Sequence, residues 1–300
     1  MTPIRNFENL TAHLKAESVR KRIAVVCASD NNTEQAVVRA LEDGFADLIM
    51  VGPGDILDRF SDLNRFPGRV SVIDVPDRDE AARVAVRLVR EGRADVLMKG
   101  LINTDNLLRA ILDKENGILP AGNVLTHVTM AEVPGSDRLI FFSDAAVIPY
   151  PSFAQRVEMV RYLTQTCRSF GISCPRVALV HCSEKVNAKM PVTLDYVRLV
   201  EMAGQGEFGE AIVDGPMDVK TACESTSGAI KGIVSPIGGK ADALLFPDIE
   251  SGNVFYKTLS LWAKARMAGM LRGTSAPVVL PSRSDSAESK YFSLAAACLM

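Results

Sequence analysis

The sequence contains little that points to metal binding, disulfide bonding or nucleic-acid binding. Its three histidines, His13, His127 and His181, lie far apart, and its six cysteines form no C-x-x-C pair. This spacing argues against a zinc site, and the cysteines inside apolar segments are expected to be buried thiols. The 34 basic and 36 acidic residues are spread without a block of either sign. We therefore expect no nucleic-acid partner and no bound metal.

Long apolar runs are also missing. The first residues carry no apolar stretch of signal-peptide length, and the apolar runs elsewhere are too short to span a bilayer. We therefore expect a cytoplasmic protein without a membrane partner. At 300 residues, 47% of them hydrophobic, the chain has the length at which a single core usually stops growing. This predicts two domains, or one large domain with a cleft.

Short runs rich in valine, isoleucine and leucine alternate with segments of helical periodicity. These runs are IAVVCAS (23–29), ADLIMVG (46–52), VSVIDV (70–75), ADVLMKG (94–100), RLIFFSD (138–144), RVALVHCS (176–183), EAIVDG (210–215), ADALLFPD (241–248) and APVVLP (276–281). The alternation predicts an α/β fold with a parallel sheet. After RLIFFSD, the pair Ser152 and Gln155 predicts a capping box that opens a helix ending near Phe170.

The segment GILPAGNVLTHVTMAEVPGSD is rich in turn residues and predicts little strand. It is the best place in the sequence for a crossing between domains, between about residues 130 and 137. The one literal G-x-G-x-x-G, in AGQGEFGE, follows a predicted helix and precedes a predicted strand. A dinucleotide fingerprint requires the opposite order, so we interpret this segment as a flexible loop.

The segment after APVVLP combines residues that suit an anion. The predicted strand runs into Ser282, Arg283, Ser284, Asp285 and Ser286, and a predicted helix follows. Backbone N–H groups at a helix start, serine hydroxyls and a guanidinium together suit a phosphate. The alternative is that the serines only cap the helix.

A second candidate lies in MKGLINTDNLLRAIL. Lys99 ends a predicted strand, where ligands gather in α/β sheets, and Thr104 or Asp105 is expected to cap the next helix. Arg109 follows one turn later. The alternatives are a lysine that leaves the strand end for solvent and an ordinary surface arginine. A third candidate is Asn253, which is placed near a helix start after ADALLFPD and has helix capping as its alternative.

Together these stretches resemble the phosphate acetyltransferase and phosphate butyryltransferase family, over most of the chain. The resemblance is strongest from EAIVDGP through GIVSPIGGKADALLFPDIESGNVFYKTL to APVVLPSRSDSAESK. The FPD-x-x-x-GN-x-x-YK pattern and the SR-x-D-S pattern are specific in combination. The MKGLINTDNLLRAIL segment and the chain length favour the butyryltransferase branch.

The resemblance implies a fold related to the isocitrate and isopropylmalate dehydrogenases, with an interdomain cleft. A first α/β domain of residues 1–132 would be completed by residues 275–300, and residues 133–274 would form the second. It also implies the reaction butanoyl-CoA + phosphate = butanoyl phosphate + CoA, in which coenzyme A is a substrate. No metal, no tightly bound cofactor and no covalent acyl-enzyme would take part. The implied assembly is a homodimer or a higher homo-oligomer.

The resemblance also assigns residues. The family's serine-arginine pair matches Ser282 and Arg283, and the arginine on the helix after the threonine-containing turn matches Arg109. The family places a catalytic aspartate a few residues beyond this pair; Glu288 or Asp285 would stand in for it here, and Ser289 is the third candidate, as its exact counterpart in position. Further substrate- or phosphate-binding residues are expected on the same segments: Lys99, Thr104, Ser284 and Asn253.

Three alternative functions remain open at this point. An acetyl or propionyl transferase would use the same site, because one methylene contributes only about 1–3 kcal/mol of discrimination. A metal- and nicotinamide-dependent decarboxylating dehydrogenase of the related fold would need clustered aspartates and a nucleotide loop, and the sequence contains neither. A non-catalytic CoA-binding homologue is the third.

Overall fold

A computed structural model describes residues 2–17, 19–282 and 284–300 and divides into two compact units. The terminal unit consists of Phe7–Leu125 and Arg266–Met300. The central unit consists of Thr126–Ala265 with the chain up to Asn6. Within the described part of the chain, no helix is both long and apolar enough to cross a membrane.

The terminal unit is built on a mixed sheet. Its strands are β1 (Lys21–Val26), β2 (Ala46–Gly52), β3 (Val70–Asp74), β4 (Val96–Lys99), β10 (Arg266–Arg272) and β11 (Val278–Val279). They lie in the order β3-β2-β1-β4-β11-β10. The first five in this order are parallel, and β10 is antiparallel to β11. The carboxyl ends of the parallel strands therefore lie at one edge.

The helices of the terminal unit start close to that edge. They are α1 (Phe7–Ala16), α2 (Asn31–Glu42), α3 (Ile56–Arg59), α4 (Arg78–Arg90), α5 (Thr104–Ile111) and α11 (Ala287–Cys298), with a 3₁₀ turn at Ser61–Arg65. Asp30 caps α2 by accepting a 2.9 Å hydrogen bond from the Thr33 N–H, which satisfies a free helix donor. The rings of Phe7 and Phe292 stack 4.4 Å apart, so α11 is fixed in the core by aromatic packing.

The central unit is also built from strands and helices. Its strands, in the order β5-β6-β9-β7-β8, are β5 (Thr126–Glu132), β6 (Ile140–Ser143), β7 (Arg176–Val180), β8 (Ile212–Met217) and β9 (Ala243–Leu245). Its helices are α6 (Phe153–Ser169), α7 (Val192–Gly204), α8 (Val219–Cys223), α9 (Ser225–Lys231) and α10 (Ile249–Leu261). The predicted capping box of Ser152 and Gln155 is confirmed at the start of α6.

The α/β class predicted from the sequence is confirmed, but two strands were not predicted. β5 lies in the segment that the turn residues marked as poor in strand, so that expectation is wrong for Thr126–Glu132. β10 was not predicted either. Both strands are antiparallel to a neighbour, β5 to β6 and β10 to β11.

Acid should destabilise the central unit through Asp218. Burial alone would raise the pKa of Asp218, but hydrogen bonds from Lys231 and Thr221 outweigh it and lower the pKa to about 2. An unfolded aspartate titrates at pH ~3.9, so this stabilisation is complete above that pH and disappears as the pH falls towards 2. We expect the urea midpoint to drop across this window, and Asp218→Asn to flatten the drop. An unchanged profile in the variant would contradict this role.

Candidate active site

Three neighbouring parallel strands of the terminal unit end side by side. β4 lies between β1 and β11, with Lys99 opposite Val26 and Met98 opposite Val279. Each strand leads into a helix, β1 into α2, β4 into α5 and β11 into α11. The structure therefore brings the Lys99 and Ser282 segments, which are far apart in sequence, to one edge of one sheet. Ligands gather at such edges.

The turns after β1 and β4 are in very close contact. The Gly100 N–H donates to the Val26 carbonyl at 2.8 Å, and the Leu101 N–H donates to the Cys27 carbonyl at 2.8 Å. A Cβ atom on Gly100 would lie 2.6 Å from both carbonyl oxygens. Cys27 has φ +51°, a backbone conformation that residues other than glycine rarely adopt. Glycine is therefore required at position 100 for the two turns to meet.

Lys99 is buried at this edge, with 3% of its surface exposed. Its Nζ donates to the Gly100 carbonyl at 3.2 Å. The alternative of a lysine that leaves the strand end for solvent is therefore wrong. A buried ammonium costs free energy unless it is hydrogen-bonded or paired. The bond to the Gly100 carbonyl offsets part of that cost and holds the ammonium beside the turn after β4.

The segment 282–286, which we call the serine turn, is closed by its own aspartate. The Asp285 carboxylate accepts from the Ser282 N–H at 2.8 Å, and the Asp285 N–H donates to the Ser282 carbonyl at 3.1 Å. The hydroxyls of Ser282 and Ser284 lie 3.1 Å apart, and both residues are exposed. Arg283 lies outside the described residues. The turn thus presents two hydroxyls beside a carboxylate.

Capping is the role of Ser286 alone among these serines. Its side chain accepts from the Ser289 N–H at 3.1 Å and opens α11. The Ser282 and Ser284 hydroxyls take no part in that cap. The view that the serines serve only as helix caps therefore holds for Ser286 and is wrong for Ser282 and Ser284.

The two candidate carboxylates have different surroundings. Asp285 is half-buried and bound to the backbone of Ser282. Glu288 lies in the first turn of α11, is exposed, and has its Oε1 4.0 Å from the Nη1 of Arg266. Ser289 follows it, and its hydroxyl donates to the Met267 carbonyl at 3.0 Å. Asp285 is thus the carboxylate that belongs to the serine turn and bonds to its first residue.

Arg109 is exposed on α5 and lines a groove against α4. The groove has a volume of about 370 Å³. Four arginines line it: Arg83, Arg87, Arg90 and Arg109. Of these, Arg83 is paired with Glu80 at 2.8 Å, and Arg90 donates to the Asn116 side chain at 3.0 Å. The carboxylates of Asp79, Glu80 and Asp113 line the same groove, and the guanidinium groups, which outnumber them, suit an anionic ligand.

Thr104 does not cap α5. It is the first helical residue, and Asn103 occupies the cap position without a side-chain cap bond. Asp105 lies inside the first turn. The prediction that Thr104 or Asp105 caps this helix is therefore wrong. Thr104 is exposed at the start of α5, five residues along the chain from Lys99.

Asn253 lies in the central unit and packs α10 against the chain after β6. Its side-chain amide donates to the Ala145 carbonyl at 2.9 Å. Asp248, not Asn253, caps α10 by accepting from the Ser251 N–H at 2.8 Å. A Cβ atom on Gly252 would lie 2.1 Å from the Asp144 carbonyl oxygen. Much of the FPD-x-x-x-GN pattern thus builds this packing, and the alternative that Asn253 only caps the helix is wrong.

Sequence reasoning missed the first turn of α2, which also lies at this edge of the terminal unit. Burial alone would raise the pKa of Asp30, but hydrogen bonds from Lys290 and Thr33 outweigh it and lower the pKa. Burial raises the pKa of the Cys27 thiol, three residues earlier. The available signal was the sequence DNNT directly after a strand, a helix-cap pattern at the same topological position as the serine turn.

No group of three or more His, Cys, Asp or Glu side chains that could hold a metal ion occurs among residues 2–17, 19–282 and 284–300. The chemistry that the described edge can offer comes from hydroxyls, the Asp285 carboxylate and the buried Lys99 ammonium. These groups suit the binding of an anion and the transfer of a proton.

Comparison with known proteins assigns this chain to a family. Residues 73–298 match the family model described as "Phosphate acetyl/butaryl transferase". A phosphate butyryltransferase of Clostridium beijerinckii is 39% identical over 297 residues, which covers 99% of this chain and 98% of that protein. A phosphate acetyltransferase of Thermotoga maritima is 37% identical over 276 residues, which covers 92% of this chain and 93% of that protein.

A solved structure agrees with these relatives. The crystal structure of a branched-chain phosphotransacylase from Enterococcus faecalis V583 has a TM-score of 0.80 and 31% identity to this chain. The match covers 93% of this chain and 98% of that one. The resemblance inferred from the sequence motifs is confirmed: the chain belongs to the phosphate acetyl/butyryl transferase family and is an acyltransferase.

Proposed function

We propose that this acyltransferase catalyses butanoyl-CoA + phosphate = butanoyl phosphate + CoA, in either direction. The observation that carries the proposal is the serine turn at the carboxyl end of β11, where two hydroxyls and a carboxylate stand at the start of a helix. Full-length similarity to a phosphate butyryltransferase supports the butyryl substrate. Coenzyme A is a substrate in this proposal, and no bound cofactor or metal takes part.

The reaction proceeds by direct attack in a ternary complex. The CoA thiol, with an ordinary pKa of about 8.5, must lose its proton before it attacks the carbonyl carbon of the acyl phosphate. The C–S bond then forms and the C–O bond to phosphate breaks, without any change of oxidation state. Negative charge develops on the carbonyl oxygen and on the leaving phosphate, so donors fixed beside both oxygens lower the barrier.

We assign these tasks to the residues of the serine turn. Arg283 holds the phosphoryl group bidentately, and Ser282 and Ser284 donate hydroxyl hydrogen bonds to the reacting oxygens. Asp285 takes the thiol proton, because it is the carboxylate bound within the turn. Glu288 is the alternative acceptor.

The two carboxylates can be separated by isosteric variants. Asn at position 285 retains an oxygen that accepts from the Ser282 N–H, so Asp285→Asn preserves the turn but removes the proton acceptor. We expect kcat to fall by about 100-fold in Asp285→Asn and to stay near the wild-type value in Glu288→Gln. Steady-state thiol release measures both. The opposite pattern would assign the proton transfer to Glu288.

The remaining predicted residues bind substrate in this proposal. Arg109 and the other arginines of the α4–α5 groove suit the phosphates of CoA. Lys99 ends β4 and Thr104 begins α5. Because β4 and β11 are neighbouring parallel strands, both residues lie at the same edge of the sheet as the serine turn, where they can bind the same phosphate. Asn253 is included on the basis of the family resemblance, beside its packing role.

The acyl group is the part of the specificity to measure, since the three relatives above are named as a butyryltransferase, an acetyltransferase and a branched-chain phosphotransacylase. The test is phosphate-dependent release of free thiol from acetyl-, propionyl-, butyryl-, isobutyryl- and longer acyl-CoA, with and without a chelator. We expect chelator-resistant release that peaks at four carbons. A peak at two or three carbons would indicate an acetyl or propionyl transferase, and no release at all would indicate a non-catalytic CoA-binding protein.

We further propose a domain organisation like that of the isocitrate and isopropylmalate dehydrogenases, a homo-oligomer of two or more chains, and a cytoplasmic location. The terminal unit, which joins the first part of the chain to its last strand and helix, supports the first. Exposed apolar side chains on the central unit, among them Trp262 and Val254, support an interface between copies. Six free cysteines suit a reducing compartment.

A further inference from the structure

Lys290, a buried lysine of α11, has no role in the catalytic assignments above. Lys290 has 3% of its surface exposed, and its Nζ lies 2.7 Å from the Asp30 carboxylate and 2.9 Å from the Thr33 hydroxyl. Asp30 is itself fixed, because it caps α2 and also accepts from the Thr33 hydroxyl at 2.6 Å. The ammonium therefore joins the first turn of α11 to the first turn of α2.

A second hydrogen bond joins the first turn of α2 to the serine turn, which directly precedes α11. The Asn32 side chain donates to the Asp285 carbonyl at 3.1 Å. Asp285 in turn accepts from the Ser282 N–H. Hydrogen bonds to two different groups of Asp285, its backbone carbonyl and its carboxylate, therefore link the first turn of α2 to the backbone of Ser282.

Stability alone is a weak reason for such an arrangement. The desolvation of a buried ion pair offsets most of its Coulomb energy, and apolar replacements of both partners are often as stable. Directional bonds do fix orientation. A reacting group displaced by about 1 Å can lose on the order of 100-fold in rate, so orientation of the serine turn has a large effect if it holds the phosphate.

We propose that Asp30, Asn32 and Lys290 are positioning residues for the transfer reaction, which fix the serine turn against the end of β1 without touching substrate. The inference rests on the proposed function, since it assigns the turn a phosphate to hold. The first turn of α2 acts through two contacts, the Asp30–Lys290 ion pair and the hydrogen bond from the Asn32 side chain. Lys290 sets where α11 begins, and Asn32 sets the orientation of the turn just before it.

The first test replaces the partly buried Asn32, which makes the second contact. Asn32→Ala removes the bond to the Asp285 carbonyl, and Asn31→Ala is its matched control, an exposed asparagine one residue earlier in the same helix. We expect Asn32→Ala to raise the KM for phosphate by roughly tenfold, with the KM for butyryl-CoA unchanged. A purely structural role would only reduce the fraction of active enzyme, which lowers kcat and leaves both KM values as they were.

The second test removes both charges of the Lys290–Asp30 ion pair together. Lys290→Met alone leaves the half-buried Asp30 carboxylate without its ammonium partner and is expected to destabilise the fold. The double variant Asp30→Asn/Lys290→Met removes both charges, so we expect it to fold with a thermal midpoint near that of the wild type. We expect it to show the same rise in the KM for phosphate.

The outcomes separate this inference from the function on which it rests. An inactive wild-type protein would overturn the proposed function and the positioning role with it. An active wild type, with an unchanged KM for phosphate in both Asn32→Ala and the double variant, would overturn the positioning role alone. A selective rise in either variant, absent from Asn31→Ala, supports it.

Discussion

Arg283→Ala is expected to lower kcat for phosphate-dependent thiol release by on the order of 100-fold or more. Arg283 lies outside the described residues, but its neighbours Ser282 and Ser284 form the turn that precedes α11. In the proposed reaction a guanidinium grips the phosphoryl group through two parallel hydrogen bonds and offsets the charge that develops as the C–O bond breaks. Alanine removes both effects.

Two further variants define what the arginine contributes. Arg283→Lys keeps the charge but loses the planar fork, so we expect it to recover only part of the lost rate. Arg93→Ala removes an exposed arginine whose guanidinium lies 3.6 Å from the Glu91 carboxylate and is the control for loss of one positive charge. Wild-type turnover in Arg283→Ala would remove this residue from the mechanism and would weaken the assignment of the whole serine turn.

The sequence predicted the parallel part of the fold well. Strands such as β1 and β2 are continuous apolar runs, because both of their faces are covered, and this pattern is easily recognised. β5 and β10 lack it. β5 has the sequence THVTMAE and β10 the sequence RMAGMLR, in which polar, small and charged residues interrupt the apolar run. Their pairing with β6 and β11 stabilises them as strands, and single-sequence propensity does not contain that pairing.

The candidate site was predictable where its residues are close in sequence. Ser282, Ser284 and Asp285 form one turn, so strand, turn and helix signals located them together. The residues that hold this turn were not predictable in the same way. Lys290 and Asp30 are 260 residues apart in the chain, and the sequence around each of them does not indicate that the two side chains form a pair. Lys99 was located at the correct strand end, but its burial depends on how β4 packs between β1 and β11.

Gly100→Ala is expected to damage stability and catalysis together. The new Cβ atom would lie 2.6 Å from the Val26 and Cys27 carbonyl oxygens and 2.7 Å from the Ala28 nitrogen. All three are backbone atoms at the end of β1, so relief requires the β1 and β4 turns to separate. Overpacking of this kind costs typically about 1–3 kcal/mol. The separation also stretches the hydrogen bonds that Gly100 and Leu101 donate to β1.

The catalytic loss follows from what the displaced turn carries. Lys99 precedes Gly100 and Thr104 opens the next helix, so a shift of about 1 Å moves both proposed phosphate-binding residues away from the serine turn and can cost on the order of 100-fold in kcat/KM. Gly204→Ala is the matched control, since a Cβ atom there meets nothing within 4 Å. Thermal unfolding and thiol release should both be normal in the control and both impaired in Gly100→Ala. If Gly100→Ala were less stable but fully active, the β4 turn would belong to the scaffold, and the proposed phosphate site would have to be confined to the serine turn.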